Sequence, residues 1–406
     1  TVTPGAWAGH AERLKHAVGM LPVIASTRLG TLEVAERVLA AGQADFVSLA
    51  RPFLAEPALV AKARAGKIGR INPCIACNQA CIDRSLRDLS VSCMVNPRAG
   101  REWEWPEPAA QGARRRFAVI GGGPAGLEAA RTLAVAGASV VLYEAQPELG
   151  GQFRLAARIP DKEDFAGTIA YFARELDRLG AEVRLQARIG PESAGELEDY
   201  EGIVVATGVM PRAIDLPGSE LPLVRTYPEA LLRPDGGNGR IAVIGAGGIG
   251  VDVAHLYSQR GRPVTLMCRG KVVGEHLGRS TRWVILKAMR ERGVETLTGV
   301  SYERISAAGV AIRDREGRER LIEAAVVVVA AGQESADPLS AALSPSKTLE
   351  RRGRPVHVVG GARATGGLDA VRAFREGAEA ARALLADGAG STLRSTRSDG
   401  PSGRGK

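Results

Sequence analysis

The sequence predicts an α/β protein in which helices cover parallel sheets. Two apolar runs, at 117–120 and 241–244, each lead into a glycine-rich turn that is followed by a helical pattern. The first 70 residues show a similar alternation, in the order strand, helix, strand, helix. Because a strand followed by a helix is the repeating unit of parallel sheets, these observations predict barrel-like or doubly wound architecture.

Length and composition limit the possibilities. The chain has 406 residues, enough for two or three domains, and 45% of them are apolar. It contains 50 glycines but only 4% aromatic residues, which suits tight turns and argues against a protein that stacks nucleic-acid bases on aromatic rings. We attribute the net charge of +9 to a generally basic proteome and a basic tail, with attraction for anionic ligands as the alternative.

The sequence also bears on location and partners. It has no run of about 18 apolar residues, so no membrane span is expected. The first ten residues lack the pattern of a secretion signal. Four of the five cysteines are clustered rather than spread out as in a disulfide framework. We therefore expect a cytoplasmic protein without nucleic-acid or membrane partners. The oligomeric state stays open.

The first 70 residues predict two βα units. Apolar runs at 21–26 and 44–50 predict two buried strands. Between them, 31–42 has a threonine N-cap, helical apolar spacing and a terminal glycine, which together predict a helix. A further short helix is expected after the second strand, and the proline-rich stretch 102–116 predicts an exposed connector.

Four cysteines form the motif C-x2-C-x3-C-x11-C, at Cys74, Cys77, Cys81 and Cys93. Three thiolates in one tight loop and a fourth from a returning segment suit a [4Fe-4S] cluster. Zinc is the alternative, although structural zinc sites usually use two C-x2-C pairs. Four buried cysteines without a metal are the remaining interpretation.

The first glycine-rich turn has the pattern of a dinucleotide-binding fold. Gly121, Gly123 and Gly126 follow an apolar strand and precede a helix expected over 125–136. The first glycine permits the tight turn, the second lets the backbone approach a pyrophosphate, and the third lets helix and strand pack closely. Glu144 follows the next strand, where an acidic side chain binds ribose hydroxyls. An ordinary glycine-rich turn is the alternative.

The second glycine-rich turn, formed by Gly245, Gly247 and Gly250, repeats the pattern with one change. Arg269 and Lys271 stand where the first unit has its acidic residue. Because a cation pairs with a ribose 2′-phosphate and a carboxylate repels it, the sequence favours NADPH over NADH. The alternative is that both cations simply face solvent.

Three later segments complete the pattern. The runs 202–212 and 325–335 predict buried strands that each deliver a small-residue turn beside a cofactor. The segment 356–386 predicts a strand, a glycine turn and a long helix whose N-terminus points at a flavin. The tail, 387–406, has almost no apolar residues, so disorder is expected.

The constellation resembles a known family. The stretches that carry the resemblance include "LPVIASTR", "ADFVSLARPFLAEP", "INPCIACNQACID", "SCMVNPR", "GGGPAGLEAA", "IPDKEDF" and "IAVIGAGGIGVD". They resemble the bacterial 2,4-dienoyl-CoA reductases of the Old Yellow Enzyme superfamily, which includes trimethylamine dehydrogenase. The resemblance implies electron flow from NADPH through FAD and a [4Fe-4S] cluster to FMN, which reduces an activated C=C bond of an enoyl thioester or another enone.

The resemblance also implies roles for individual residues. The four clustered cysteines hold the iron–sulfur cluster. Arg28, Ala50 and Arg51 occupy positions that contact the FMN phosphate. The positions that match FAD contacts are Ala125, Glu144, Gln152, Lys162 and Ile189. Arg363 departs from the pattern, since relatives often carry aspartate there near the flavin.

The implied fold is the tail end of a TIM-type (β/α)8 barrel followed by a two-domain FAD/NAD(P) flavoprotein module with Rossmann-like three-layer folds. A whole barrel needs about 200–250 residues, so the residues that act on the substrate are expected in a missing N-terminal part and none is named. The predicted divisions are a barrel portion (1–70), a cluster loop and linker (71–113), an FAD domain (114–214 with 331–386), an NADPH domain (215–330) and a disordered tail (387–406).

Other functions stay open. One alternative is a stand-alone NADPH diaphorase that serves a partner protein, and another is a relative of amine dehydrogenases or demethylases. A non-catalytic nucleotide sensor stabilised by zinc is the third.

Overall fold

The structure is a computed structural model that describes residues 2–108, 112–234, 237–337 and 354–387, together with Leu339. The helices are α1 (Ala8–Val18), α2 (Leu32–Ala40), α3 (Arg51–Ala55), α4 (Leu59–Arg64), α5 (Ile82–Ser85), α6 (Pro124–Val135), α7 (Gln152–Ala156), α8 (Asp164–Arg178), α9 (Tyr227–Leu232), α10 (Gly248–Gln259), α11 (Arg279–Glu291) and α12 (Ala370–Asp387), with 3₁₀ turns at Ile68–Arg70 and Pro191–Leu197.

The strands fall into two large parallel sheets and three smaller ones. They are β1 (Ile24–Ala25), β2 (Phe46–Val47), β3 (Arg116–Ile120), β4 (Ser139–Tyr143), β5 (Glu182–Arg184), β6 (Gly202–Val205), β7 (Val209–Pro211), β8 (Val224–Thr226), β9 (Ile241–Ile244), β10 (Val264–Cys268), β11 (Glu295–Thr298), β12 (Ser301–Ser306), β13 (Gly309–Arg313), β14 (Glu319–Glu323), β15 (Val326–Val329), β16 (Gln333–Ser335) and β17 (Val356–Val358).

The first large sheet has the order β17-β6-β3-β4-β5, with every neighbouring pair parallel. Helices α6, α8 and α12 cover it, and the rings of Phe172 and Phe374 stack at 5.6 Å between centroids in the core below them. Gly377 lets α12 approach α6 closely, because a Cβ there would lie 2.0 Å from the carbonyl oxygen of Ala125. The long helix predicted near the C-terminus is therefore a packing element of this sheet.

The second large sheet has the order β11-β10-β9-β15-β8 and is also parallel throughout. Its strands come from 224–329, whereas those of the first sheet come from 116–205 and 356–358. The predicted divisions at 214/215 and 330/331 fall between the strands of the two sheets. The antiparallel sheet β12-β13-β14 packs beside the second sheet.

A short antiparallel pair, β7 with β16, connects the two sheets. The runs 202–212 and 325–335 each form a buried strand, a turn and then one strand of this pair. Gly208 and Gly332 adopt φ values of 80° and 120° in the two turns, a conformation that favours glycine. The chain therefore crosses between the sheets twice at one place.

The strands of the first 70 residues differ from their prediction. Each has only two residues, and β1 and β2 form a parallel sheet of their own. The side chains of Ile24 and Phe46 are 61% and 58% exposed, so the prediction of two buried strands was wrong for one face. The reason is that nothing in the described structure covers that face of a two-stranded sheet.

The helix predicted between these two strands is present. Helix α2 begins after Thr31, whose Oγ1 accepts a hydrogen bond from the N–H of Val34 at 3.4 Å, as the N-cap pattern predicted. Within the described ranges, no helix has the length and apolar composition needed to cross a membrane. The tail predicted to be disordered lies outside the described residues, apart from Asp387 at the end of α12.

Candidate cofactor sites

The first glycine-rich turn connects β3 to α6 at the carboxyl edge of the first sheet. Gly121 has φ 108°, and a Cβ there would lie 2.3 Å from the carbonyl oxygen of Ala206. A Cβ on Gly126 would lie 1.8 Å from the carbonyl oxygen of Gly121. No side chain fits at either position, so the backbone turn lies directly against the N-terminus of α6, where free N–H groups favour an anion.

Glu144 lies beside this turn, directly after β4. Its side chain is buried, and Oε2 accepts a hydrogen bond from the N–H of Gly122 at 2.7 Å. Oε1 accepts a second bond from the N–H of Gln146 at 2.8 Å. These bonds fix the carboxylate at the turn, and its remaining lone pairs are suited to the ribose hydroxyls that the sequence pattern predicts.

The surroundings of the turn fit a dinucleotide. Gly151, which precedes α7, lies close to the backbone of Gly123. The hydroxyl of Thr207 is buried without a hydrogen-bond partner among the described residues. Because a buried hydroxyl without a partner is costly, its place beside the turn is consistent with a ligand that supplies the missing bond.

The other predicted flavin contacts are dispersed. Ala125 is buried in the first turn of α6, and Ile189 packs in the apolar core on one face of the first sheet. Gln152 Oε1 accepts a hydrogen bond from the hydroxyl of Tyr227 at 3.2 Å. The ammonium of Lys162 donates to both carboxylate oxygens of Asp252 on α10, at 2.6 and 2.7 Å. Both polar side chains thus connect the first sheet's domain to the second.

Arg363, the residue that departs from the family pattern, forms an ion pair with Glu376. Glu376 is buried on α12, and its Oε2 also accepts a hydrogen bond from the N–H of Gly360 at 2.7 Å. The arginine therefore stabilises the turn between β17 and α12 that lies next to Ala125.

The second glycine-rich turn opens into a large cleft. Gly245 has φ 102°, and a Cβ there would lie 2.4 Å from the carbonyl oxygen of Ala330. As in the first turn, a Cβ on Gly250 would lie 1.8 Å from the carbonyl oxygen of Gly245. Gly247 has no neighbour within 4 Å of its Cβ position and lines a cavity of about 1120 Å³. This volume suits a dinucleotide rather than a small ion.

Arginines give the cleft its charge. Arg84, Arg87, Arg212 and Arg269 all line it. Arg269 follows β10, lies 5.8 Å from the ring centroid of Tyr302, and forms no ion pair within the described ranges. The carboxylates that line the cleft are Asp83, Asp215 and Asp369. Arginine guanidinium groups bind phosphate well, so the cleft suits a phosphate-bearing ligand.

Lys271 occupies a different place from Arg269. Its side chain is exposed and does not line the cleft. Of the two cations that the sequence offered for a 2′-phosphate, the structure brings only Arg269 to the cavity.

The four cysteines surround a second, smaller cavity, which Arg51 and Asn78 also line. The loop that carries the first three cysteines turns sharply, with left-handed φ values of 49° at Ala76 and 63° at Asn78. This backbone directs Cys74, Cys77 and Cys81 into one space, and the returning segment adds Cys93.

Burial controls the chemistry of these thiols. It raises the pKa of Cys74 and Cys77, and it raises the pKa of Cys93 to about 12. Buried thiols with such pKa values stay protonated at neutral pH unless a metal replaces the proton. The donor set therefore fits a metal centre better than it fits free thiolates.

The four cysteines could hold either a single zinc ion or an iron–sulfur cluster. Among the described residues, no three Cys, His, Asp or Glu side chains converge on a position for a single metal ion. A tetrahedral zinc ion would require sulfur atoms about 3.8 Å apart, from a Zn–S bond of about 2.3 Å. An iron–sulfur cluster is likewise held by cysteine thiolates, so the choice between the two kinds of centre rests on the cysteine motif and stays a prediction.

The two arginines predicted to bind an FMN phosphate contact other parts of the chain. Arg28 pairs with Asp164 at the start of α8, with 2.8 Å between nitrogen and oxygen. Arg51 follows Ala50 and donates to Oδ1 of Asn78 at 2.6 Å. The structure thus places Arg28 against the first sheet's domain and Arg51 against the cysteine loop.

Comparison with known proteins identifies the family. Residues 115–356 match the family model of pyridine nucleotide-disulphide oxidoreductases. The chain belongs to this family. It is 32% identical over 376 residues to the metal reductase of Desulforamulus reducens and 33% identical over 358 residues to the NADH oxidase of Thermoanaerobacter brockii. These matches cover 84% and 87% of this chain but 56% and 54% of those proteins.

Solved structures of two relatives also match almost all of this chain but only part of their own length. A 2-naphthoyl-CoA reductase in complex with 2-naphthoyl-CoA superposes with a TM-score of 0.86 at 28% identity, over 94% of this chain and 56% of that chain. The 6-hydroxypseudooxynicotine amine oxidase of Pseudomonas geniculata N1 gives 0.80 at 28% identity, over 93% and 58%. The chain therefore spans somewhat more than half the length of these relatives.

Family membership confirms the coarser predictions. This member of the pyridine nucleotide-disulphide oxidoreductases is a pyridine-nucleotide-dependent flavoprotein oxidoreductase with two Rossmann-like domains for FAD and NAD(P)H. The four clustered cysteines precede the matched residues. The barrel portion, the cluster, FMN and the dienoyl-CoA specificity stay predictions.

Sequence reasoning missed the charged residues that the cysteine segment contributes to the cleft. Asp83, Arg84 and Arg87 come from the cysteine segment yet line the cleft of the second domain. The only signal was the density of charged residues in "IDRSLRD" between the third and fourth cysteines. Local spacing does not reveal which distant cavity such a segment will face.

Proposed function

We propose that the chain is the electron-delivering part of an NADPH-dependent iron–sulfur flavoenzyme that reduces an activated C=C bond, as 2,4-dienoyl-CoA reductases do. The proposed electron path runs from NADPH through FAD and a [4Fe-4S] cluster to FMN. Residues 1–70 are proposed to supply the last two βα units of the barrel that holds FMN.

One observation carries the proposal: a single segment lines both cavities. The cysteines and Asn78 line the smaller cavity, while Gln79, one residue further, lines the nucleotide cleft. Arg84, also from this segment, faces the cleft again. A cluster held by this segment lies next to the nucleotide-binding domain, and this supports electron delivery rather than a purely structural metal.

The chain's own residues have distinct proposed tasks. The N-terminus of α6, which begins after Gly123, provides N–H groups for the FAD pyrophosphate, and Glu144 orients the ribose. Gly247 at the start of α10 and Arg269 hold the reduced nucleotide. Bound FAD supplies hydride and single-electron chemistry. The four cysteines orient the cluster and keep it in a largely buried cavity.

The relatives support a conjugated substrate. The structure with the TM-score of 0.86 is that of a reductase bound to an aromatic CoA thioester, and other relatives are named cinnamate reductase and bilirubin reductase. We propose an enoyl or aryl thioester, or another enone, as the substrate class.

A second candidate is amine oxidation. Relatives include an N,N-dimethylglycine/sarcosine dehydrogenase of Chromohalobacter salexigens, 36% identical over 200 residues, and the amine oxidase named above. The cleft with four arginines favours the reductase, because a reductase needs a phosphate-bearing electron donor such as NADPH.

The test is anaerobic mixing of the FAD- and cluster-loaded chain with NADPH. We expect bleaching of the flavin absorbance and reduction of one-electron dyes, without turnover of a dienoyl-CoA by these 406 residues alone. Replacing Cys81 with Ser should leave flavin bleaching intact and strongly slow dye reduction through the cluster.

The matched control is Ser85→Ala, an exposed position in the same segment that lines neither cavity, and it should behave as the unmodified chain does. Turnover of the dienoyl-CoA by this chain, or a flavin that NADPH does not bleach, would contradict the proposal. Amine-driven bleaching without any response to NADPH would support the second candidate.

A further inference from the structure

The segment between the third and fourth cysteines forms a wall of the nucleotide cleft. It contains α5 and the turn after it, and Arg84, Arg87 and Leu89 line the cavity there. The glycine-rich turn and Arg269 belong to the same cavity. The cleft is therefore built from two parts of the chain that are separated by more than a hundred residues.

Contacts across the cleft fix the position of this wall. Oδ1 of Asp83 accepts a hydrogen bond from the N–H of Ser280 at 2.9 Å, in the first turn of α11. Gly278 makes the approach possible, because a Cβ there would lie 1.7 Å from Oδ2 of Asp83. Asp83 is buried, so this contact holds the cysteine segment against the nucleotide-binding domain.

The guanidinium groups of the two arginines in this wall have N–H donors without a partner among the described residues. Arg84 Nε donates to the carbonyl oxygen of Ser90 at 2.6 Å, which leaves its Nη groups without a partner in the described structure. Arg87 forms no side-chain hydrogen bond or ion pair with any described residue. Neither arginine forms an ion pair with a carboxylate of the cleft among the described residues. Oδ1 of Asp83 accepts its hydrogen bond from the N–H of Ser280, and Oδ1 of Asp369 accepts one from the N–H of Arg372.

We propose that Arg84 and Arg87 bind the phosphate groups of the nicotinamide dinucleotide, so that the cysteine segment is itself part of the nucleotide site. The inference rests on the proposed function, since it takes NADPH as the ligand of the cleft. Guanidinium groups with free donors beside an anion-binding turn are suited to phosphate oxygens. Through this contact, nucleotide binding stabilises the segment that carries the last two cluster ligands. Because such coupling is reciprocal, a well-ordered segment also strengthens nucleotide binding.

The experiment is calorimetric titration of the FAD- and cluster-loaded chain with NADP⁺. Because a charge-assisted hydrogen bond to phosphate is lost, Arg87→Gln should weaken NADP⁺ binding roughly tenfold, and the double change with Arg84→Gln should weaken it further. The matched control is Arg290→Gln on α11, an exposed arginine that is outside the cleft, and its dissociation constant should stay unchanged.

A second measurement tests the contact independently of affinity. Hydrogen–deuterium exchange across residues 82–92 should slow on addition of NADP⁺ to the unmodified chain and should not respond in the double variant. Because Arg87 has no side-chain partner in the described structure, Arg87→Gln alone decides the matter if the double variant does not fold.

The outcomes separate the two proposals. Unchanged NADP⁺ affinity in Arg87→Gln, with no change in exchange at 82–92, overturns the role of the cysteine segment while leaving the proposed function intact. An unmodified chain that binds no NADP⁺ overturns the proposed function instead.

Discussion

At the scale of single residues, we propose that Arg269 sets the preference between the two nicotinamide dinucleotides. It follows β10 directly, lines the cleft, and lies over the ring of Tyr302. Burial raises the pKa of the Tyr302 phenol, so this ring stays neutral beside the guanidinium. The cation is therefore available to a phosphate on the ribose.

Arg269→Glu should weaken NADPH binding and leave NADH binding nearly unaffected. The new carboxylate repels the 2′-phosphate that the guanidinium bound, and a lost charged hydrogen bond alone costs about 1.5–3 kcal/mol. We expect the dissociation constant for NADPH to rise by roughly tenfold or more. Fluorescence titration with each reduced nucleotide measures both values.

Lys271→Glu is the matched control for this change, since Lys271 is two residues away, carries the same charge and lies outside the cleft. Equal losses for NADPH and NADH in Arg269→Glu would show that the arginine does not recognise the 2′-phosphate. A larger effect in Lys271→Glu would move that role to the lysine.

At the scale of elements, helix α11 obtains its N-terminal partner from another part of the chain. Asp83, 197 positions earlier in the sequence, accepts the hydrogen bond from the N–H of Ser280. An acidic side chain at a helix N-terminus is favoured by the free N–H groups and the helix dipole. This one contact joins the cysteine segment to the nucleotide-binding domain.

Asp83→Ala should loosen both elements at once. Loss of a helix N-cap typically costs about 1 kcal/mol, and we expect faster hydrogen–deuterium exchange in the first turn of α11 and in α5. Asp83→Asn is the control, because its amide oxygen still accepts the hydrogen bond and only the charge is lost. If hydrogen–deuterium exchange in Asp83→Ala is unchanged, Asp83 does not cap α11. If exchange rises equally in Asp83→Ala and Asp83→Asn, the stabilisation comes from the charge of Asp83 and not from its hydrogen bond.

At the scale of the whole molecule, the sequence predicted those features that depend on the spacing of residues close together in the chain. Both strand–turn–helix units, the acidic residue after β4 and the cysteine motif depend on residues close together in the chain. The pairing of β7 with β16 and the bond from Arg28 to Asp164 join residues over a hundred positions apart. No local period encodes such contacts, so the cleft wall formed by the cysteine segment was not foreseen.

The exposed strands near the N-terminus show the same limit. The apolar runs at 21–26 and 44–50 have the composition of buried strands, and composition alone does not state what will cover them. In the described structure, Ile24 and Phe46 remain exposed on a two-stranded sheet.

The proposed electron path requires one arrangement: two dinucleotide domains and a cysteine-held cluster joined by the segment that lines both cavities. Its most direct test is iron and acid-labile sulfide analysis of the anaerobically purified chain, followed by NADPH addition. This electron path requires about four irons and four sulfides per chain, and a cluster absorbance that NADPH diminishes. Zinc without sulfide, or an iron–sulfur absorbance that NADPH leaves unchanged while the flavin is reduced, would contradict it.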